Sequence, residues 1–362
     1  MKYSPFRHAG SILWKRDPVH LTFFVTKRCN ARCPYCFYLK TPDAVAPSLP
    51  ELSLGEIERV SRSLGSLLWL AFSGGEIFLR EDLVEITEAF YRNNKPAFLL
   101  YPTNGLLPEL IRDRMERILK DCPKSVVAVK LSLDGIGQDH DDLRNTPGSF
   151  ERTLETYRLL SGLLDRYPRF ELGVNTVFCS GNQDDMEKII DFVGTLDRIR
   201  THTVSLVRGN LVDKGYKDVD HEKYFRAIER LERDARTGRA PVYRFGGARI
   251  KAAQDLLQRR LIHRTLREGT NSLPCYAGRV NLVLTETGEV LPCEILTESW
   301  GNVRDYGYDL KKVMSTEKAK AVLSNIRERG CSCTHECTCM TNILFNPRMY
   351  PSLARAYLSL AK

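Results

Sequence analysis

Cys29, Cys33 and Cys36 stand in the stretch Thr26-Lys27-Arg28-Cys29-Asn30-Ala31-Arg32-Cys33-Pro34-Tyr35-Cys36, a C-x3-C-x2-C spacing. Three thiolates on one short loop can hold three irons of a cubane 4Fe-4S cluster, which leaves the fourth iron open to an outside molecule. Zinc is the competing reading, but structural zinc wants four ligands and a closed shell. This loop offers no fourth Cys or His. It follows Leu21-Thr22-Phe23-Phe24-Val25, whose apolar, β-branched and aromatic character predicts a buried strand. The cysteines therefore leave the end of the first strand.

A second cysteine group lies after residue 270. Cys275, Gly288 and Cys293 give C-x12-G-x4-C, and Cys331, Cys333, Cys337 and Cys339 crowd into nine residues. Eleven cysteines are many for a protein of a reducing compartment, where such clusters favour metal over disulfides. Two four-thiolate clusters would need eight cysteines, so the six present here fit one auxiliary cluster. Four cysteines are also a legitimate structural zinc set. Cys122 and Cys179 are isolated.

The elements that position these groups alternate. Strands are predicted over 21–25, 67–72, 97–101, 126–133, 170–178 and 202–207. Helices are predicted from the capping box Ser53-Leu54-Gly55-Glu56 to Leu64, and over 80–93, 108–120, 149–165 and 183–196. Regular βα alternation implies a parallel sheet, and leaves a barrel or an open doubly wound sheet as the alternatives. Residues 42–50 read as a Pro- and Ala-rich loop, and 220–237 and 247–268 as charged helices. A hairpin is predicted from 280–284 to 289–291 around Thr285-Glu286-Thr287-Gly288.

Gly74-Gly75-Glu76 ends the second strand, where glycine lets a backbone approach a ligand closely. Taken with the cysteine spacing and the aromatic Tyr35 before the last Cys, this resembles the radical S-adenosylmethionine superfamily. The C-terminal cysteines resemble its SPASM and twitch domains, although no Cys follows Cys339. The resemblance implies a partial (βα)6 TIM barrel over 15–215 after a lead-in at 1–14. A helical connector over 216–269, an auxiliary-cluster domain over 270–345 and a tail over 346–362 would follow. It implies that Cys29, Cys33 and Cys36 hold the 4Fe-4S cluster that binds S-adenosylmethionine. Tyr35, Gly74, Gly75, Glu76, Ser132, Arg144 and Asn175 would bind the cofactor, Arg144 by pairing with its carboxylate, as a guanidinium does with two parallel hydrogen bonds. The auxiliary 4Fe-4S cluster would rest on Cys275, Cys293, Cys333 and Cys337, with Cys331 or Cys339 as substitutes. Cys179 is the expected hydrogen donor to a substrate radical. Tyr101, Lys130 and Arg208 are expected to line the cavity, and His335 to cap or support the cysteines. Asn104 reads as a turn residue, and Asp134 as a polar strand end.

The implied activity is reductive cleavage of S-adenosylmethionine to a 5′-deoxyadenosyl radical and hydrogen abstraction from a small-molecule or peptide substrate. Oxidation, crosslinking or epimerisation would follow, with a flavodoxin- or ferredoxin-type electron donor. The rival reading is a non-catalytic iron–sulfur or zinc protein for electron transfer or scaffolding. The stretch before the first strand is too short for a peptide-recognition domain, which a separate protein would then supply. The formal charge of +9 does not argue for nucleic acid. Two clusters on seven thiolates would lower it by about three, and the basic residues are interleaved with acidic ones. No run approaches a membrane span, and Met1 to His8 lacks the apolar core of a signal peptide. A cytoplasmic location is expected.

Overall fold

A computed structural model describes residues 2–15, 17–38, 49–241, 243–271, 273–329 and 333–361. Cys331 and most of the 42–50 loop lie outside the described residues. Six parallel strands lead: β1 (His20–Thr26), β2 (Trp69–Gly74), β3 (Phe98–Thr103), β4 (Val126–Ser132), β5 (Phe170–Phe178) and β6 (Thr201–Leu206). Between and after them run α1 (Leu54–Ser63), α2 (Leu83–Asn94), α3 (Pro108–Asp121), the short α4 (Gln138–Leu143), α5 (Ser149–Ser161), α6 (Met186–Thr195), α7 (His221–Thr237) and α8 (Ala248–Glu268). Helix α1 starts where the sequence predicts, with Ser53 and Glu56 closing a reciprocal capping box.

Strands β1 to β6 neighbour one another in chain order, without a reversal. A doubly wound sheet needs a reversal point. Successive right-handed crossovers in one direction instead put every helix on one face, which makes a partial barrel. That outer face is the core: Phe23, Phe72, Leu99, Val129 and Leu172 have no exposure or almost none. Each such side chain contributes roughly 1.5–3 kcal/mol by burial. Tyr101 belongs to this face, against the expectation that it lines the cavity. Strand alternation turns it to Thr87 of α2, with the hydroxyls 3.0 Å apart.

The inner face is more polar. Lys130, Gly173 and Thr201 share one row across β4, β5 and β6. Gly173 has no side chain to block the path, since a Cβ there would lie 2.7 Å from Lys130 Nζ. The ammonium therefore reaches Thr201 Oγ1 and, at 3.2 Å, Thr203 Oγ1. Burial pushes its pKa down to about 7 from 10.5. Between these values the unfolded chain holds the extra proton, so this group makes stability rise with pH. Lys130→Met is expected to remove that rise. Thermal midpoints of variant and wild type at about pH 6.5 and 9.5 check it, and parallel profiles would count against it.

The C-terminal part is joined to the barrel more closely than a separate domain would be. β7 (Asn281–Leu284) pairs parallel with β1, then β8 (Glu289–Leu291) and β9 (Gly301–Asn302) follow antiparallel, completing a nine-stranded sheet. α9 (Leu310–Met314), α10 (Glu317–Arg329), α11 (Glu336–Leu344) and α12 (Tyr350–Ser359) complete the chain. Helices α11 and α12 both pack on α8, so the expected tail is a packed helix. No helix among the described residues is long and apolar enough to cross a membrane.

Candidate active site

The cysteine loop leaves β1 and is zipped to the end of β2. Gly75 N donates to Thr26 O at 2.8 Å, and Glu76 N to Arg28 O at 2.9 Å. This approach requires glycine. A Cβ on Gly75 would lie 2.1 Å from Arg28 O, and one on Gly74, at φ +127°, 2.3 Å from Thr26 O. Gly75→Ala should therefore push the cysteine loop away and leave less than about half the iron of the first cluster after reconstitution. Iron analysis beside an unchanged circular dichroism spectrum checks this.

Glu76 is buried and its carboxylate is engaged. Oε1 accepts from Thr103 Oγ1 (2.9 Å) and Phe78 N (3.2 Å), and Oε2 from Asn104 N (2.8 Å). Burial pushes its pKa up, against these hydrogen bonds. It ties the end of β2 to the end of β3. Asn104, read as a turn residue, instead touches the cysteine loop: Nδ2 donates to Asn30 Oδ1 at 2.8 Å and lies 3.9 Å from Cys29 Sγ. Its place at a third strand end was the available signal.

Cys29, Cys33 and Cys36 are all partly exposed. Burial pushes the Cys29 thiol up to about 11 and the Cys33 thiol up as well. Thiolates there need a cation, and iron supplies one. Tyr35 is buried, with its hydroxyl donating to Asp134 Oδ2 at 2.7 Å. The same oxygen accepts from Arg144 Nη1 at 2.5 Å. The other edge of Arg144 is unpartnered: Nε is buried with no hydrogen-bond partner, and Nη2 has none among the described residues. That edge presents two parallel donors, which suits a carboxylate. Ser132 and Asn175 are partners across β4 and β5, and Ser205 Oγ donates to Asn175 Oδ1 at 2.7 Å. They form a polar row at the strand ends.

Cys179 is not in the cavity. It has no exposure, its sulfur donates to Asn182 Oδ1 at 3.6 Å, and burial pushes its thiol up to about 12. The chain turns after β5 and packs it beside Tyr35 and Leu143. A hydrogen donor needs access to the substrate, so the expected role for Cys179 fails. Cys122 is buried at the end of α3.

At the other end of the sheet, the β7–β8 hairpin brings Cys275 and Cys293 together across the turn at Gly288, whose φ is +94°. Cys275, Cys293 and Cys333 line one cavity of about 310 Å³, with Arg208 and Thr338 on its wall. The Cys339 thiol donates to the Cys333 carbonyl oxygen at 3.8 Å, and its nearness draws the Cys333 thiol's pKa down. Cys337 and Cys339 lie two residues apart on α11, ~200° around a helix, and so face different ways. Cys337 instead hydrogen-bonds His335, and a Glu294 oxygen, a His335 nitrogen and the Cys337 sulfur lie within 4.8 Å of one another.

His335 and Glu294 form a buried pair at 3.2 Å. Burial opposes both charges, yet each partner holds the other ionised, His335 well above the usual imidazole value and Glu294 well below the carboxylate one. Arg208 extends this pair, reaching Glu294 at 3.4 Å and Glu336 at 2.8 Å while lying 5.3 Å over the Phe37 ring. Arg208 thus joins the cysteine loop to the C-terminal cysteines. The adjacency of Glu294 to Cys293 was the available clue to this network.

The sequence pattern of the Radical SAM superfamily matches residues 23–193, from β1 to α6. Residues 23–193 thus carry a radical SAM domain. Enzymes of this superfamily bind a 4Fe-4S cluster and S-adenosylmethionine. The antilisterial bacteriocin subtilosin biosynthesis protein AlbA of Bacillus subtilis (strain 168) is 26% identical over 301 residues, covering 81% of this chain and 59% of AlbA. The chain therefore spans less than two thirds of that relative. The AdoMet-dependent heme synthase of Methanosarcina barkeri is 26% identical over 298 residues, 80% of each chain. Among solved structures, Streptococcus suis SuiB bound to S-adenosylmethionine superposes with TM-score 0.59 at 16% identity, covering 88% of this chain and 71% of SuiB. The structure of anSMEcpe with bound AdoMet gives TM-score 0.59 at 17% identity, covering 94% and 96%. These two likenesses establish the radical SAM fold.

Proposed function

We propose that this chain is a radical SAM enzyme that oxidatively modifies a peptide. The observation that carries the reading is the convergence of Cys29, Cys33 and Cys36, the Gly74–Gly75 approach and the unpartnered, buried Nε of Arg144 near the ends of β1, β2 and β4. A bound 4Fe-4S cluster, once reduced, would supply the single electron for reductive cleavage of S-adenosylmethionine at its sulfonium. Cys29, Cys33 and Cys36 would hold this cluster. Arg144 takes the cofactor's carboxylate, and Gly74 and Gly75 let the backbone meet its amino group. Ser132 and Asn175 offer polar contacts to the remainder.

Cys275, Cys293, Cys333 and Cys339 are the ligands of one auxiliary cluster, with Cys339 replacing Cys337. The electron donor is of flavodoxin or ferredoxin type, and an acidic carrier suits the chain's +9 charge. AlbA's bacteriocin biosynthesis supports the peptide substrate, as do the structures of SuiB bound to precursor peptide SuiA and anSMEcpe bound to the Cp18Cys peptide. Reconstituted, reduced protein incubated with S-adenosylmethionine and a precursor peptide encoded beside it tests this. A mass loss of about 2 Da in the peptide, matched by 5′-deoxyadenosine, is expected for a two-electron oxidation. An unmodified peptide while a tetrapyrrole intermediate is converted would instead favour the chemistry named for the heme synthase.

A further inference from the structure

We infer that Asp134 is the positioning residue that aims Arg144 at the cofactor carboxylate and fixes it to the cysteine loop, a reading that rests on the function proposed above. Asp134 has no exposure. Its Oδ2 is shared by Tyr35 OH at 2.7 Å and Arg144 Nη1 at 2.5 Å, and its Oδ1 accepts from Val177 N at 2.7 Å. Its own N–H donates to His140 Nδ1 at 3.1 Å, and its carbonyl accepts from Asn182 Nδ2 at 2.9 Å. Every polar group of this residue is therefore committed, and the side chain cannot turn without breaking several bonds at once. One carboxylate oxygen sets the separation between Tyr35, next to Cys36, and the guanidinium.

The consequence lies in which Arg144 nitrogens are used. Asp134 occupies Nη1 and leaves the Nε–Nη2 edge, whose Nε is buried and unpartnered. A guanidinium free to rotate would offer its donors in several directions, and binding would have to order it first. Pre-ordering removes that cost. Tyr35, expected to touch the cofactor, is in this arrangement the clamp on the loop. The distance from the open iron to the carboxylate site is thus set by a residue that touches neither.

The test is calorimetric titration of S-adenosylmethionine into reconstituted holoenzyme, with iron content measured in parallel. The variants are Asp134→Asn, Arg144→Gln and the double variant. Asp134→Asn is expected to weaken binding about tenfold or more at unchanged iron content, the loss typical of one charge-assisted hydrogen bond. In the Arg144→Gln background the same change should add nothing, because Asp134 acts through Arg144. Additive effects, or Asp134→Asn within about twofold of wild type, overturn the assignment. Should Asp134→Asn fail to fold around an unpaired guanidinium, Asp134→Glu keeps the charge but shifts it by one methylene. It is expected to weaken binding severalfold, and affinity within about twofold of wild type overturns the role. Wild type that does not bind S-adenosylmethionine overturns the proposed function together with this inference. Wild-type binding that ignores Asp134 overturns this inference alone.

Discussion

Cys339→Ala is expected to take the reconstituted protein from about eight irons per chain toward about four, while Cys337→Ala leaves the count near eight. The reason is helical phase. Both residues lie on α11, but two positions along a helix is more than half a turn. Cys339 turns to Cys333, which shares a cavity with Cys275 and Cys293. Cys337 turns to His335 and Glu294. The auxiliary ligands come from three separate segments, so losing one removes a tie between segments as well as a thiolate. The first cluster differs, since its three thiolates sit on one loop. Iron and sulfide analysis with Mössbauer quantitation checks the count. Loss of four irons in Cys337→Ala with retention in Cys339→Ala would reverse the assignment.

Arg144→Gln is expected to weaken S-adenosylmethionine binding roughly 10- to 150-fold, the range for losing a charge-assisted interaction of about 1.5–3 kcal/mol. The change removes the unpartnered Nε–Nη2 edge and leaves Asp134 buried without its cation. The second effect destabilises the protein by roughly 3–5 kcal/mol, since breaking a buried pair leaves an uncompensated charge. The two effects separate by method. Calorimetry at a temperature well below unfolding reads the binding loss, and thermal unfolding reads the other. Unchanged affinity with lowered stability would make Arg144 a structural partner of Asp134 only.

The first cysteine set was legible because its information is local: three residues of one type at fixed spacing, next to a strand. The βα alternation was legible for the same reason, and the strand ends of Gly74-Gly75-Glu76 and Ser132 placed them on one rim. What escaped was set by distant partners. Pairing of β7 with β1 joins segments some 260 residues apart in the chain, and no local pattern announces it. Among the crowded C-terminal cysteines, spacing alone does not give the phase of a helix whose start is fixed by tertiary packing. Cys179 follows β5 directly, and only the turn in which Asn182 Oδ1 accepts from Cys179 N buries it among apolar neighbours. Tyr101 was within reach of the sequence, since alternation from Leu99 puts it on the helix side. Asp134 reads as an ordinary strand-end acid until Tyr35 and Arg144 are seen to meet on it.

The central claim is that the first cysteine loop holds a cluster that cleaves S-adenosylmethionine. Formation of 5′-deoxyadenosine by the anaerobically reconstituted, dithionite-reduced protein tests it most directly, with the Cys29→Ala/Cys33→Ala/Cys36→Ala variant run beside it. Wild type should release 5′-deoxyadenosine, and the variant should release none while keeping about four irons in the auxiliary site. Wild type and variant alike forming none, with the variant otherwise indistinguishable, would contradict the account and leave an iron–sulfur or zinc protein without this chemistry.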